Sequence, residues 1–330
     1  MAIPVNTTTY NAMITRANAS VLCPAELREG IISAVTQNSA FLSLATKLPN
    51  MSAQTLTMPV ISALPTAYFV TGEVGDGTNS GVKQATNMAW LNKMLTAEEV
   101  AVIVPIPENV LADSQYDIWG QVKDKASEAI GLAIDNAAIW DVGHPTSWPE
   151  GIKAGATTAG NSLVMGVLGD LVDDIGGVGG LMSLVEADGY DVNGFYGVLS
   201  MKAALRGLRD TNKTLIFQPS MLAGTPSTLY GQPIEYARNG VTPGTTLLIG
   251  GDWKQAVYSV RQDITYKLLT EGVIQDAAGA IVYNLGQQDM VALRITMRLG
   301  WQLPNPINRV NSEGTDPSTT RYPFAVLTSA

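Results

Sequence analysis

The chain has one cysteine, Cys23, and one histidine, His144, in 330 residues. A lone thiol excludes an intrachain disulfide and any cysteine-built metal cluster, and it suits a reducing compartment. A lone imidazole leaves Ser-His-Asp or Cys-His chemistry only if His144 supplies the base. His144 lies in a Gly-His-Pro loop with no serine elbow around it and reads as a structural loop residue. A transition-metal site would need to be assembled almost wholly from carboxylates, so no metal or cofactor is expected. Charge is scarce too, at 15% of residues against 46% hydrophobic. Such a chain is apolar enough to fold but poor in the charges that normally cover a monomer, which points to surface buried by partners. The net charge is -9 and the 20 Lys and Arg residues are scattered. Without a basic patch to neutralise phosphates, tight direct binding of nucleic acid is excluded.

Other signatures are missing as well. Residues 1–15 are uncharged and broken by Pro4, Asn6 and a threonine run, unlike a secretory signal. The charge-free stretch 48–72 is interrupted by Pro49, Pro59 and Pro65, so no transmembrane helix is expected. The run Gly176 to Gly180 lacks the Lys-Ser/Thr ending of a phosphate loop and follows Asp170, Asp173 and Asp174, which would repel phosphate. It reads as a helix-breaking linker. Asp113, Asp117, Glu128 and Asp135 read as helix caps and solvated faces, not as an acid-base pair. The six tryptophans are dispersed with no basic cluster beside them, a pattern of core packing and not of base stacking.

What is present is a succession of amphipathic elements. Residues 1–24 show no sustained period and read as an extended arm, with a helix opening at Pro24 and Glu26 and interrupted near Asn38 and Ser39. Leu56, Met58 and Val60 alternate as in a strand, residues 72–81 are a glycine-rich tip, and Met88 to Leu95 resumes an extended pattern. The region 50–95 is therefore a long hairpin, marginal in isolation and in need of support from elsewhere, a neighbouring subunit being the natural source. A β-branched strand over Thr96 to Ile106 precedes a helix over Asp117 to Asp141, with Ile118, Val122, Ala126, Ile130, Ile134 and Ala138 on one face and Lys123, Asp124, Lys125 and Glu128 elsewhere. Beyond it, 154–249 alternates short helices (Leu163 to Ile175, Met201 to Leu208) with short strands (Gly194 to Leu199, Thr245 to Ile249). Val257 to Leu268, Ala280 to Asn284 and Val291 to Gln302 give further strands. The last alternates Leu293, Ile295, Met297 and Leu299 against Arg294, Thr296 and Arg298.

This order of elements resembles the major capsid proteins of tailed bacteriophages with the Hong Kong 97-type fold. The resemblance rests on Ala67 to Glu73 with its aromatic and Gly-Glu step, Lys93 to Thr96, and Pro107 to Ser114. It continues through Ile134 to Ala138, the Gly143 to Ile152 loop, Gly251-Asp252-Trp253, Arg261, and the terminus Pro323 to Leu327. It implies an α+β capsid fold with an N-terminal arm (1–24), a helix joining the peripheral domain (25–49) and an extended hairpin loop (50–95). A peripheral domain with its spine helix (96–153), an axial domain (154–249), and return strands of both domains with the C-terminus (250–330) follow. The family's leading charged scaffolding segment is missing here, so the resemblance implies either a separate scaffold or a processed or naturally short form.

The implied function is that of a structural subunit, not an enzyme, which self-assembles as pentamers and hexamers into an icosahedral head. The head would enclose double-stranded DNA without sequence-specific binding. Scaffold, portal and decoration proteins are the further partners, assembly takes place in the host cytoplasm, and the mature location is the virion, with no membrane involved. The candidate interface residues are Tyr68, Phe69, Glu73, Lys83, Trp90 and Lys93 in the hairpin, with Glu98, Glu99, Arg294 and Arg298 on peripheral strands. Arg294 and Arg298 are expected to meet Glu98 or Glu99 on a neighbouring strand or subunit. Some members of the family join a hairpin lysine to a neighbour's asparagine. Here Lys83 and Lys93 in the hairpin and Asn305, Asn308 and Asn311 late in the chain are the raw material, but the acid close in sequence to those asparagines, Glu313, lies in a Ser-, Gly-, Thr- and Pro-rich stretch. A shell without covalent cross-links is therefore expected. The alternatives are an encapsulin-type nanocompartment shell and a carboxylate-based hydrolase.

Overall fold

The computed structural model describes residues 39–70, 83, 85–113, 118–208, 228–241, 244–310 and 321–329. The expected arm, the helix before Ser39, the hairpin tip with Glu73, and Asn311 and Glu313 lie outside the described residues. In chain order the elements begin with α1 (Ala40–Leu44), β1 (Thr46–Lys47), β2 (Thr55–Ala63), β3 (Ala89–Thr96), β4 (Glu98–Pro107), α2 (Glu108–Asp113) and α3 (Ile118–Ala138). There follow α4 (Ile152–Thr158), β5 (Ser162–Val164), α5 (Leu171–Gly176), α6 (Leu181–Ala187), β6 (Gly194–Gly197) and α7 (Met201–Gly207). Last come β7 (Thr228–Leu229), β8 (Gln232–Tyr236), β9 (Thr246–Gly251), β10 (Val257–Leu269), β11 (Val273–Gln275), β12 (Ile281–Asn284), β13 (Met290–Gln302) and β14 (Phe324–Thr328).

The architecture is α+β. β1, β10, β13 and β4 form a four-stranded sheet in that order, and β5, β14, β9, β6, β8 and β7 a six-stranded one. Among the described residues β2 pairs with β3 alone, and β11 with β12 alone. The long helix α3 has 21 residues, roughly 32 Å at 1.5 Å per residue. Its expected apolar stripe is buried at Ile118, Ala126, Ile130, Ile134 and Ala138, with Val122 partly covered. Lys123 departs from expectation, because it is buried, with its ammonium 5.7 Å from the Tyr266 ring centre on β10. Its alkyl stem covers apolar surface while the charge faces the ring.

One core joins α3, the four-stranded sheet and one face of the six-stranded sheet. Trp140, Tyr196, Trp253 and Phe324 meet edge-on or tilted at 5.1–6.4 Å between ring centres, and Phe41 meets Trp301 at 5.4 Å. A second core lies on the opposite face, where Ile175, Leu181, Val185, Met201 and Leu205 of the short helices cover Phe195, Leu248, Ala325 and Leu327. The C-terminal strand β14 thus lies inside the sheet, between β5 and β9, with one side chain set in each core.

Two further sequence expectations change here. Leu163 to Ile175 is not one helix but strand β5, a turn, and the short helix α5. Gly166 and Gly169 hold left-handed backbone between the two elements and break the helical period. Asp135 is not on a solvated face. It is wholly buried, and its carboxylate accepts from Ser39 Oγ at 2.6 Å, the N–H of Ala40 at 3.0 Å, the N–H of Phe41 at 3.1 Å and Asn239 Nδ2 at 2.6 Å. It satisfies the first turn of α1 from a distance and fastens that helix to α3. Burial raises its carboxyl above the ordinary value, against the pull of these four donors.

Candidate assembly surfaces

The hairpin alternates as a two-faced ribbon. Opposed pairs Leu56 and Leu95, Met58 and Lys93, and Val60 and Leu91 share one face, while Thr57 and Met94, Pro59 and Asn92, and Ile61 and Trp90 share the other. The first face is anchored at the base, where Leu95, Met51 and Ala97 form a small core with Leu56 and Met58 packed on it. Gln302 Nε2 donates to the Met94 carbonyl at 2.7 Å, and Trp148 Nε1 to that of Thr96 at 3.1 Å. The ribbon can sit this close to β13 because residue 300 is glycine. A Cβ there would fall 2.4 Å from the Thr96 carbonyl oxygen. Further out, the Ile307 N–H donates to the Ile61 carbonyl at 3.2 Å and Arg309 Nη2 to that of Pro65 at 2.9 Å.

The other face meets no core. Trp90 is 63% exposed and Met94 54%, and beyond the paired strands Phe69 is 97% exposed and Tyr68 and Lys83 are exposed as well. Lys93 is half-buried on the anchored face, beside Met58. Five of the described hairpin candidates therefore fall into two groups: Tyr68, Phe69, Lys83 and Trp90 face solvent, and Lys93 faces inward. Met94 belongs with Trp90 and was missed. Strand alternation puts residues 90, 92 and 94 on one side, so the signal was present in the sequence.

On the four-stranded sheet, Arg298 lies directly opposite Glu99, whereas Glu98 is opposite Leu299 and Arg294 is opposite Ile103 on β4 and Lys267 on β10. Register therefore brings Arg298 beside one of the expected acids and keeps Arg294 away from both. Glu98 accepts instead from Ser147 Oγ at 2.5 Å. Exposed Arg294 beside Lys267 leaves two cations on one strip of the sheet surface.

Among the described residues no side chains converge as catalytic chemistry requires. His144 Nδ1 lies 3.2 Å from Asp141 Oδ1 within its own loop. A cleft of about 480 Å³ near α1 carries Glu128, Glu235 and Arg238, and Glu128 is already paired with Lys125 at 2.8 Å. Asn305 and Asn308 are committed internally. Asn305 accepts from Tyr190 OH at 2.5 Å and donates to the Arg321 carbonyl at 2.7 Å, and Asn308 donates to the Asp188 carbonyl at 2.8 Å. An amide engaged in this way, and in Asn305 almost wholly buried, is poorly presented to a lysine from another chain.

Comparison with known proteins identifies the family to which this fold belongs. Residues 19–308 match the phage capsid family. The major capsid protein of Staphylococcus phage 80alpha is 26% identical over 278 residues, covering 83% of this chain and 79% of that protein. Among solved structures, a chain from Microbacterium phage Oxtober96 superposes with a TM-score of 0.76 at 34% identity, over 97% of this chain and 100% of that one. A chain from Mycobacterium phage Adephagia gives 0.74 at 27% identity, over 93% and 92%.

Proposed function

Since the chain belongs to the phage capsid family and is a structural subunit of the virion shell with the Hong Kong 97-type fold, we propose that the β2–β3 hairpin is its principal assembly element. The observation that carries this is the exposed face of Trp90 and Met94 on a ribbon whose described core contacts lie along its other face, with Phe69 exposed beyond the end of β2. Apolar surface held away from its own core gains burial only from a neighbour. Glu99 with Arg298, and Arg294 with Lys267, form a second, charged contact strip whose interactions are individually weak and collectively salt-sensitive, and Glu98 is left to its bond with Ser147.

In this reading the four-stranded sheet and α3 form the peripheral part of the subunit, and the six-stranded sheet forms the axial part. Copies assemble as pentamers and hexamers without covalent cross-links in the host cytoplasm. Scaffold, portal and decoration proteins take part, and double-stranded DNA is enclosed without sequence-specific contacts. A nanocompartment shell is not favoured by the relatives found.

Size-exclusion chromatography with light scattering is expected to show closed shells of megadalton mass. A stable monomer at all concentrations and pH values, even with a scaffold coexpressed, would contradict the assembly reading.

A further inference from the structure

The loop between β5 and α5 places apolar side chains in water and holds them there. Val164, Met165, Val167 and Leu168 are exposed, Val167 by 64%. The loop is nevertheless built. Asp174, wholly buried in α5, accepts from the backbone N–H of Gly166 at 2.5 Å and of Leu168 at 3.0 Å. The Met165 N–H donates to the Thr328 carbonyl at 2.8 Å, which ties the loop to the end of β14. Its rim is acidic, with Asp170 and Asp173 both exposed. A buried carboxylate that orders an apolar knuckle outside the core stabilises a surface for something else to meet.

The complement lies toward the other edge of the same sheet. Helix α7 buries Met201 and Leu205 and exposes Ala203, Ala204 and Arg206, with Leu199 54% exposed just before it. Its neighbour Lys202 holds its ammonium over the Tyr236 ring of β8 at 5.4 Å, while Arg206 donates through Nε to its own helix at 3.2 Å. β5 is an edge strand and β8 stands four strand spacings away, roughly 19 Å. The β5 edge thus carries branched knobs with an acidic rim, and the β8 side of the sheet carries small exposed side chains with a cation.

We infer that the 164–169 knuckle of one copy seats on α7 of a neighbouring copy, with Asp170 and Asp173 facing Arg206. The inference rests on the shell reading above and names the partner surface. The two patches are different surfaces of one chain, so the contact is heterologous, and its repetition through a closing rotation gives a ring and not a pair. The apolar centre excludes water, and the rim charges fix partner and register.

The test uses the full chain with assembly followed by light scattering and electron microscopy, and subunit folding followed by circular dichroism. Both Val167→Asp and Arg206→Glu change exposed side chains and should leave subunit melting unaltered while lowering ring and shell yield by about tenfold or more. Adding Asp170→Lys and Asp173→Lys to Arg206→Glu should restore most of the yield, because the attraction is rebuilt with reversed sign. Wild-type shells together with undiminished shells from both single variants would overturn the contact and leave the shell reading standing. So would a charge reversal that fails to rescue Arg206→Glu. A wild-type protein that forms no shells would bring down the shell reading and this contact with it.

Discussion

The six-stranded sheet and the β2–β3 hairpin are made from similar residues and end in opposite circumstances. In β14 the side chains of Phe324, Ala325, Val326 and Leu327 alternate between two cores and are all buried. In β3 the same alternation puts Leu95 into a core and leaves Trp90 and Met94 in water. The sheet is satisfied within the chain, with helices on one face and the main core on the other. The hairpin is satisfied on one face only, which is the arrangement expected of an element whose other half of burial comes from another subunit.

This contrast predicts where a loss of side chain is felt. Trp301→Ala removes a wholly buried ring that meets Phe41 edge-on, and should destabilise the isolated subunit by about 3–5 kcal/mol. Trp90→Ala should leave subunit stability within about 0.5 kcal/mol and reduce shell yield instead. Denaturant melts of the two variants, set beside their assembly yields, should therefore rank them in opposite order. Equal destabilisation by both would erase the distinction.

Next in size is the buried node at Asp135. Asp135→Ala strands the Ser39, Ala40, Phe41 and Asn239 donors and should cost about 3 kcal/mol, first visible as loss of hydrogen-exchange protection in residues 39–47. Because burial raises the folded pKa above the ordinary value, the folded subunit takes up a proton here more readily than the unfolded chain. The contribution of Asp135 is then fully present below about pH 4 and is lost as pH rises through its folded pKa. Relative to Asp135→Asn, which does not titrate, wild-type stability should rise as pH falls from 7 to 4, and the pH dependence of the two melts checks the sign.

The smallest effect is expected at the charged strip. Arg294→Glu faces Lys267 and exposed surface, so subunit stability should change by no more than about 0.5 kcal/mol. Shell melting at low salt should shift, and the shift should shrink at high salt. Unchanged shell melting at low salt would remove Arg294 from the interface.

Much of the contrast could be read from the sequence because it is written in periodicity. The stripe of α3, the two arms of the hairpin and the alternation of β13 each depend on residues two to four positions apart. What could not be read depends on partners far along the chain. Asp135 looks like any helical carboxylate until Ser39 and Asn239, 96 and 104 residues away, are brought to it. Lys123 looks solvated until Tyr266 arrives from β10. The turn inside 163–175 was hidden because Val164, Val167 and Leu168 mimic a helical stripe, whereas they are the exposed knuckle. Register alone decided that Arg298 and not Arg294 stands beside Glu99, and register is set by the whole ladder from Met290 to Leu299.

On the proposal made above, the hairpin beyond its anchored base serves assembly and not the folding of the subunit. Residues 66–88 lie beyond the last β2–β3 pair, Ala63 with Ala89, and replacing them with a short Gly-Ser link leaves the anchored base intact. Circular dichroism and light scattering on that single deletion variant test the claim together. The expected result is a soluble subunit with essentially unchanged helix content and melting, and no shells. An unfolded or aggregated subunit, or normal shells from a folded one, would contradict it.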